Sequence, residues 1–293
     1  MNLHKMDSHK NDAIYISEAI GCVLLFSMLL VLLMAAFGSE ASISVQNLIC
    51  RICGKLLIFV LPAVWGVWMI RRSGISIPCR VQKPSLHNDQ TVVISSFGLI
   101  IVVQMLYMSV FPSVKSTANV ALAETPTQIL LLFLSASIVP AVAEEILFRG
   151  FLIRSLGLFR RSLCVLMSAL TFALMHFSVT GFPLFFVCGL ILAMAYISTG
   201  SLSVCVGIHF LCNAFWFLSE TVETYLPHYG TFVTRGAFTV CVLLCISGIP
   251  FLKENMRVFF EDQDEPSAPS SQFWTLPTVL FVLVAAAIQI FFQ

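Results

Sequence analysis

Apolar residues fall in nine long runs separated by short polar stretches, and this alternation is the dominant pattern along the chain. The hydrocarbon core of a bilayer is about 30 Å thick, so a crossing helix needs about 20 mainly apolar residues. Runs of this kind read Ala19 to Phe37, Leu56 to Ile70, Thr91 to Phe111, Gln128 to Phe148, Leu163 to Phe177, Gly181 to Ile197, Leu202 to Phe217, Phe232 to Phe251 and Leu276 to Phe292. The pattern predicts an all-α fold, a polytopic integral membrane bundle of eight or nine transmembrane helices. Composition agrees, since 58% apolar residues, 11% charged residues and a mean hydropathy of +0.94 lie far from soluble-protein averages. The first run is expected to stay as an anchor. Met1 to Glu18 is long and mixed in charge, and no small-x-small cleavage site closes a short apolar core.

The same pattern divides the chain without any soluble domain or internal repeat. Residues 1–18 read as a cytoplasmic N-terminal tail, 19–111 as peripheral transmembrane helices, 128–251 as a transmembrane core, 252–275 as an acidic linker and 276–293 as a terminal transmembrane helix. Within the linker, Glu261 to Gln272 is acidic and then rich in Ser and Pro, which reads as solvated.

Charge adds topology. A net charge of +1, with Lys and Arg in short loops rather than along one face, argues against nucleic acid as a partner. With the N-terminus inside, cytoplasmic segments hold Lys5, Lys10, Arg71, Arg72, Arg80, Lys83, Arg154, Arg160, Arg161, Lys253 and Arg257, against Arg51, Lys55, Lys115 and Arg235 outside. Eleven against four follows the positive-inside rule. The Arg51/Lys55 pair runs against it, and an interfacial start to the second span is the other reading of that pair. The chain is therefore expected in a membrane of the bacterial cytoplasmic (inner) type, with membrane lipids around it. The ten cysteines fall largely in apolar spans, where Cys acts as a small hydrophobe, so no structural disulfide is expected. Cys50 and Cys53 form a lone C-x-x-C that reads as packing.

Three motifs break the apolar pattern: Glu144-Glu145 with Arg149, Phe172 with His176, and His209 with Asn213. An ionised side chain at mid-bilayer costs roughly 2.5–3.5 kcal/mol on insertion scales, so such residues need a common reason. Positions 145 and 149 share a helix face, which makes Glu145–Arg149 an intrahelical pair and leaves Glu144, about 100° away, free to face a cavity. His209 and Asn213 share a face by the same spacing, and Phe172 lies one turn before His176, where it can wall a pocket. Each string alone has an ordinary explanation: a charged helix end, or an interhelical hydrogen bond of modest worth. It is their combination on neighbouring segments that suggests a buried hydrolytic site. His4, His9, His87 and His228 lie in the tail or loops and read as solvated. Pro140, four residues before Glu144, is placed to kink its helix and widen a cavity beside the carboxylate.

Other intramembrane proteases leave different marks. The chain has no H-E-x-x-H, no G-x-G-D and no G-x-S-x-G. A proton-coupled transporter also uses intramembrane Glu, Arg and His, though transporters more often carry a duplicated half. A non-catalytic membrane adaptor or immunity protein that keeps the pocket is a third class.

Taken together the motifs resemble those of the CPBP intramembrane endopeptidases, also called the Abi or type II CAAX prenyl protease family. That family's pattern is E-E-x-x-x-R, then F-x-x-x-H, then H-x-x-x-N, and the resemblance covers about Gln128 to Ser219. It implies an enzyme that hydrolyses peptide bonds of membrane-associated or lipidated proteins or peptides. By the resemblance, Glu144 and His176 activate the water, His209 and Asn213 stabilise the oxyanion, and Glu145, Arg149 and Phe172 support the site. No cofactor is the preferred expectation. A zinc-dependent version remains an alternative, since Glu144, His176 and His209 supply a His2Glu set with a fourth position for water.

Overall fold

The computed structural model describes residues 3–37, 43–76, 86–114, 118–249, 253 and 268–291, and the described residues form helices and short connections with no strand. We number the helices α1 (Leu3–Phe37), α2 (Val45–Arg72), α3 (Leu86–Val110), α4 (Pro126–Leu158), α5 (Arg161–Leu174), α6 (Phe182–Thr199), α7 (Leu202–Tyr225), α8 (Pro227–Ser247) and α9 (Leu276–Phe291). Seven of them are long and apolar enough to cross a membrane, and α5 and α9 are shorter apolar helices. The all-α membrane bundle expected from the hydrophobic pattern is the architecture found. Most of the acidic linker, 254–267, and with it Arg257, lies outside the described residues.

Two boundaries differ from the sequence reading, each for a local reason. The second helix begins at Val45, capped by the Ser44 hydroxyl on the Asn47 amide. Arg51, Lys55, Cys50 and Cys53 therefore sit on α2 rather than before it. The fifth helix ends at Leu174, two residues short of His176.

α1 packs on α2 and α9, α3 on α6, α7 and α8, and α5 and α6 form a hairpin whose two arms are in close contact. That closeness depends on Gly189, where a Cβ would come within 3.0 Å of the Ala169 Cα. Small residues of this kind let membrane helices approach closely. Gly200, with φ +65°, ends α6, and the Ser201 hydroxyl caps α7 at the Val204 amide.

α4 carries the two glutamates and is the least regular element. It starts on a capping box, with Gln128 N–H donating to the Thr125 hydroxyl and the Thr125 amide donating to the Gln128 side chain. Wide π turns at Leu134–Ile138 and Ile146–Ile153 flank the regular segment Val139–Glu145. In the first, the Val139 N–H reaches back to the Leu134 carbonyl. The next bond in that register would run from residue 140 to the Ser135 carbonyl, but Pro140 has no N–H to give. Lys55 of α2 fills the gap, donating from Nζ to the Ser135 oxygen at 2.9 Å. Pro140 thus acts through a π turn and a neighbouring helix.

Candidate active site

The centre of the site is a buried charge cluster. Glu145 and Arg149 are both fully buried, and Arg149 Nη1 donates to Glu145 Oε1 at 2.8 Å. Arg149 Nη2 donates to the Gly189 carbonyl at 3.2 Å, so the close α5–α6 hairpin supplies one of its acceptors. The guanidinium carbon lies 5.0 Å from the Phe172 ring centroid and 5.9 Å from that of Phe148, distances at which cation–π attraction operates. The expected Glu145–Arg149 pair is present.

Glu145 has a second partner that helical spacing does not disclose. His209 Nδ1 lies 2.8 Å from Glu145 Oε1, across 64 positions of sequence. A carboxylate only accepts, so Nδ1 is the donor. The contact fixes the ring and turns its Nε2 toward Glu144, whose Oε2 is 3.9 Å away. Glu144 and His209 are each only slightly exposed, at 9% and 8%. Glu144 Oε2 has no hydrogen-bond partner among the described residues.

His176 is held differently. Its Nδ1 lies 2.8 Å from the Phe172 carbonyl, and a carbonyl accepts, so Nδ1 donates and the lone pair falls on Nε2. This bond also explains the early end of α5. The imidazole takes the Phe172 oxygen that the His176 N–H would occupy in a continuing helix, and that N–H bonds Ala173 instead, at 3.2 Å. The next residue, Phe177, has φ +46°, an uncommon conformation for a bulky side chain.

Phe172 joins the two histidines. Its ring centroid is 4.7 Å from His176 and 6.0 Å from His209, with Phe148 edge-on at 5.2 Å. Phe185 stacks on His176 at 3.9 Å and 22°. Two aromatic rings therefore contact the His176 imidazole, one stacked and one tilted at 52°. Asn213 follows His209 by one turn of α7 and is half-buried, with no hydrogen bond among the described residues. Lys55, Phe185 and the Gly189 carbonyl were missing from the sequence reading. Lys55, read from the sequence only for topology, donates into α4 nine residues before Glu144.

No group of three His, Cys, Asp or Glu side chains among the described residues is arranged to hold a metal ion. Glu144, His176 and His209 form no such group, so the zinc alternative finds no support in this arrangement.

Comparison with known proteins adds a family to this geometry. Residues 126–215 match the family described as Type II CAAX prenyl endopeptidase Rce1-like. The match covers 90 of the chain's 293 residues. Similarity over that stretch points to a CAAX-type protease, and seven helices long and apolar enough to cross a membrane suit one embedded in it. It runs from the start of α4 into α7 and contains all seven motif residues, while α1–α3, α8 and α9 lie beyond it. No curated protein and no solved structure matches the chain.

Proposed function

We propose that this protein is an intramembrane endopeptidase that hydrolyses peptide bonds of membrane-associated or lipidated proteins without a metal, using Glu144 and His176 to activate water and His209 and Asn213 to stabilise the oxyanion. The observation that carries the reading is the approach of Glu144 Oε2 to His209 Nε2 at 3.9 Å, between side chains of two different helices in a buried cluster. That separation is too long for a direct hydrogen bond. One oxygen off the line between them can lie about 2.8 Å from each.

The chemistry follows from the protons each group holds. Glu144 takes a proton from water as the water oxygen attacks the carbonyl carbon, and the His176 Nε2 lone pair orients that water. The resulting oxyanion accepts from the Asn213 amide and from His209 Nε2 once that nitrogen carries a proton. Collapse breaks the C–N bond, and Glu144 returns the proton to the leaving amine. Pairing Glu145 with Arg149 offsets one buried charge with another, which suits an apolar surrounding. Glu145 orients His209 as a third group orients the base in other hydrolytic sites.

The basic residues Arg71, Arg72, Arg154, Arg160 and Arg161 favour the orientation with the N-terminus inside, and on that reading the pocket opens toward the cytoplasmic leaflet. Efficient external labelling of a cysteine at position 160 in intact cells would reverse it.

The function is tested with purified protein in lipid vesicles, given a farnesylated C-terminal peptide and an unprenylated transmembrane peptide as probes. General acid–base groups contribute about 10²–10⁴-fold, so Glu144→Gln is expected to drop cleavage by at least that factor while His209→Ala also loses it, both with normal expression. Cleavage at the wild-type rate in Glu144→Gln would overturn the assignment.

A further inference from the structure

We infer that Gln289, on the terminal helix α9, is a positioning residue for His176; the inference rests on the peptidase reading above. α9 is apolar along nearly its whole length and lies outside the Rce1-like stretch, yet Gln289 is buried in it. A buried amide in such a helix needs partners. Its Nε2 donates to the Leu174 carbonyl at 3.1 Å and to the Ala173 carbonyl at 3.4 Å.

Those two oxygens are the last of α5 before the catalytic turn. Each also accepts a backbone N–H, Ala173 from His176 and Leu174 from Phe177, both at 3.2 Å. Helix ends in an apolar medium must have their carbonyls satisfied from elsewhere, and here the donor comes from a helix more than a hundred positions later in the chain. The turn it holds is strained, since Phe177 sits at φ +46°. Such a conformation persists only where the surroundings over-determine it. The far side of the same turn is fixed by Tyr107 of α3, whose hydroxyl donates to the Thr180 carbonyl at 2.6 Å. Gln289 therefore secures the near side, directly before His176, and with it the Nδ1 bond to Phe172 that leaves the Nε2 lone pair free to orient the water.

The test uses the full chain, labelled with 15N-histidine in lipid nanodiscs, comparing wild type with Gln289→Met, which keeps length and bulk and removes the amide. In wild type the His176 ring is expected as the single Nδ1–H tautomer. In Gln289→Met its resonances should split or broaden while those of His209, anchored by Glu145, stay in place. In the peptide assay kcat should fall by about 10- to 100-fold, the scale of a misplaced reacting group, with KM unchanged. Gln289→Glu, a donor only while protonated, should lie between the two and serves if Gln289→Met folds poorly. An unchanged His176 spectrum, or His176 and His209 moving together as in general loosening, would overturn the inference. The spectra require no turnover, so a protein that cleaves neither probe refutes the peptidase reading and leaves the positioning of His176 to be decided by the resonances.

Discussion

Arg149→Met isolates the interaction on which the buried site most depends. The substitution keeps an unbranched chain and removes the guanidinium that bonds Glu145 at 2.8 Å and the Gly189 carbonyl at 3.2 Å. Glu145 is then a fully buried carboxylate with His209 as its one remaining partner among the described residues, and its Oε2 has none even with Arg149 present. Removing one member of a buried ion pair costs about 3–5 kcal/mol because the other charge stays behind. Loss of the ring contacts to Phe172 and Phe148 adds roughly 0.5–2 kcal/mol. Adding Glu145→Gln removes the stranded charge and keeps an acceptor for His209 Nδ1–H, so the double variant should recover most of the loss. Reversible unfolding in mixed micelles, run on wild type, both single variants and the double, gives the coupling directly. The reasoning fails if Arg149→Met lies within about 0.5 kcal/mol of wild type, the range of a neutral surface change, or if the two substitutions simply add.

Two further outcomes follow. Exhaustive chelation should leave peptide cleavage at its starting rate; a loss restored by stoichiometric zinc would show that the donor arrangement had been misjudged. Gly189→Val places a Cβ within 3.0 Å of the Ala169 Cα and should cost about 1–3 kcal/mol by overpacking, while drawing the Gly189 carbonyl away from Arg149. Unaltered thermal unfolding of that variant would mean the α5–α6 contact is looser than described.

Features set by local spacing were legible in the sequence, and those set by packing were not. The nine apolar runs correspond to the nine helices numbered among the described residues because length and apolarity decide whether a segment suits a bilayer. The Glu145–Arg149 pair was readable for the same reason, four residues apart on one face. Its link to His209 was not, because it depends on how α4 meets α7. His176 was placed on a helix by hydrophobic periodicity, which has no means of registering that an imidazole takes the Phe172 carbonyl and ends the helix. The bond from Lys55 to the Ser135 carbonyl, which Pro140 leaves without a donor, was not legible because it depends on how α2 meets α4, eighty positions apart. Gln289 gave only a weak signal, a lone amide near the end of an apolar run.

The central claim, that Glu144 delivers water to a peptide bond inside the membrane, is tested most directly by isotope. Membranes bearing wild type or Glu144→Gln are incubated in 18O water, and the chain ends of their proteins are sequenced by mass spectrometry. The account predicts new C-termini carrying 18O with the wild type and none of them with Glu144→Gln. The same labelled ends in both samples would contradict it.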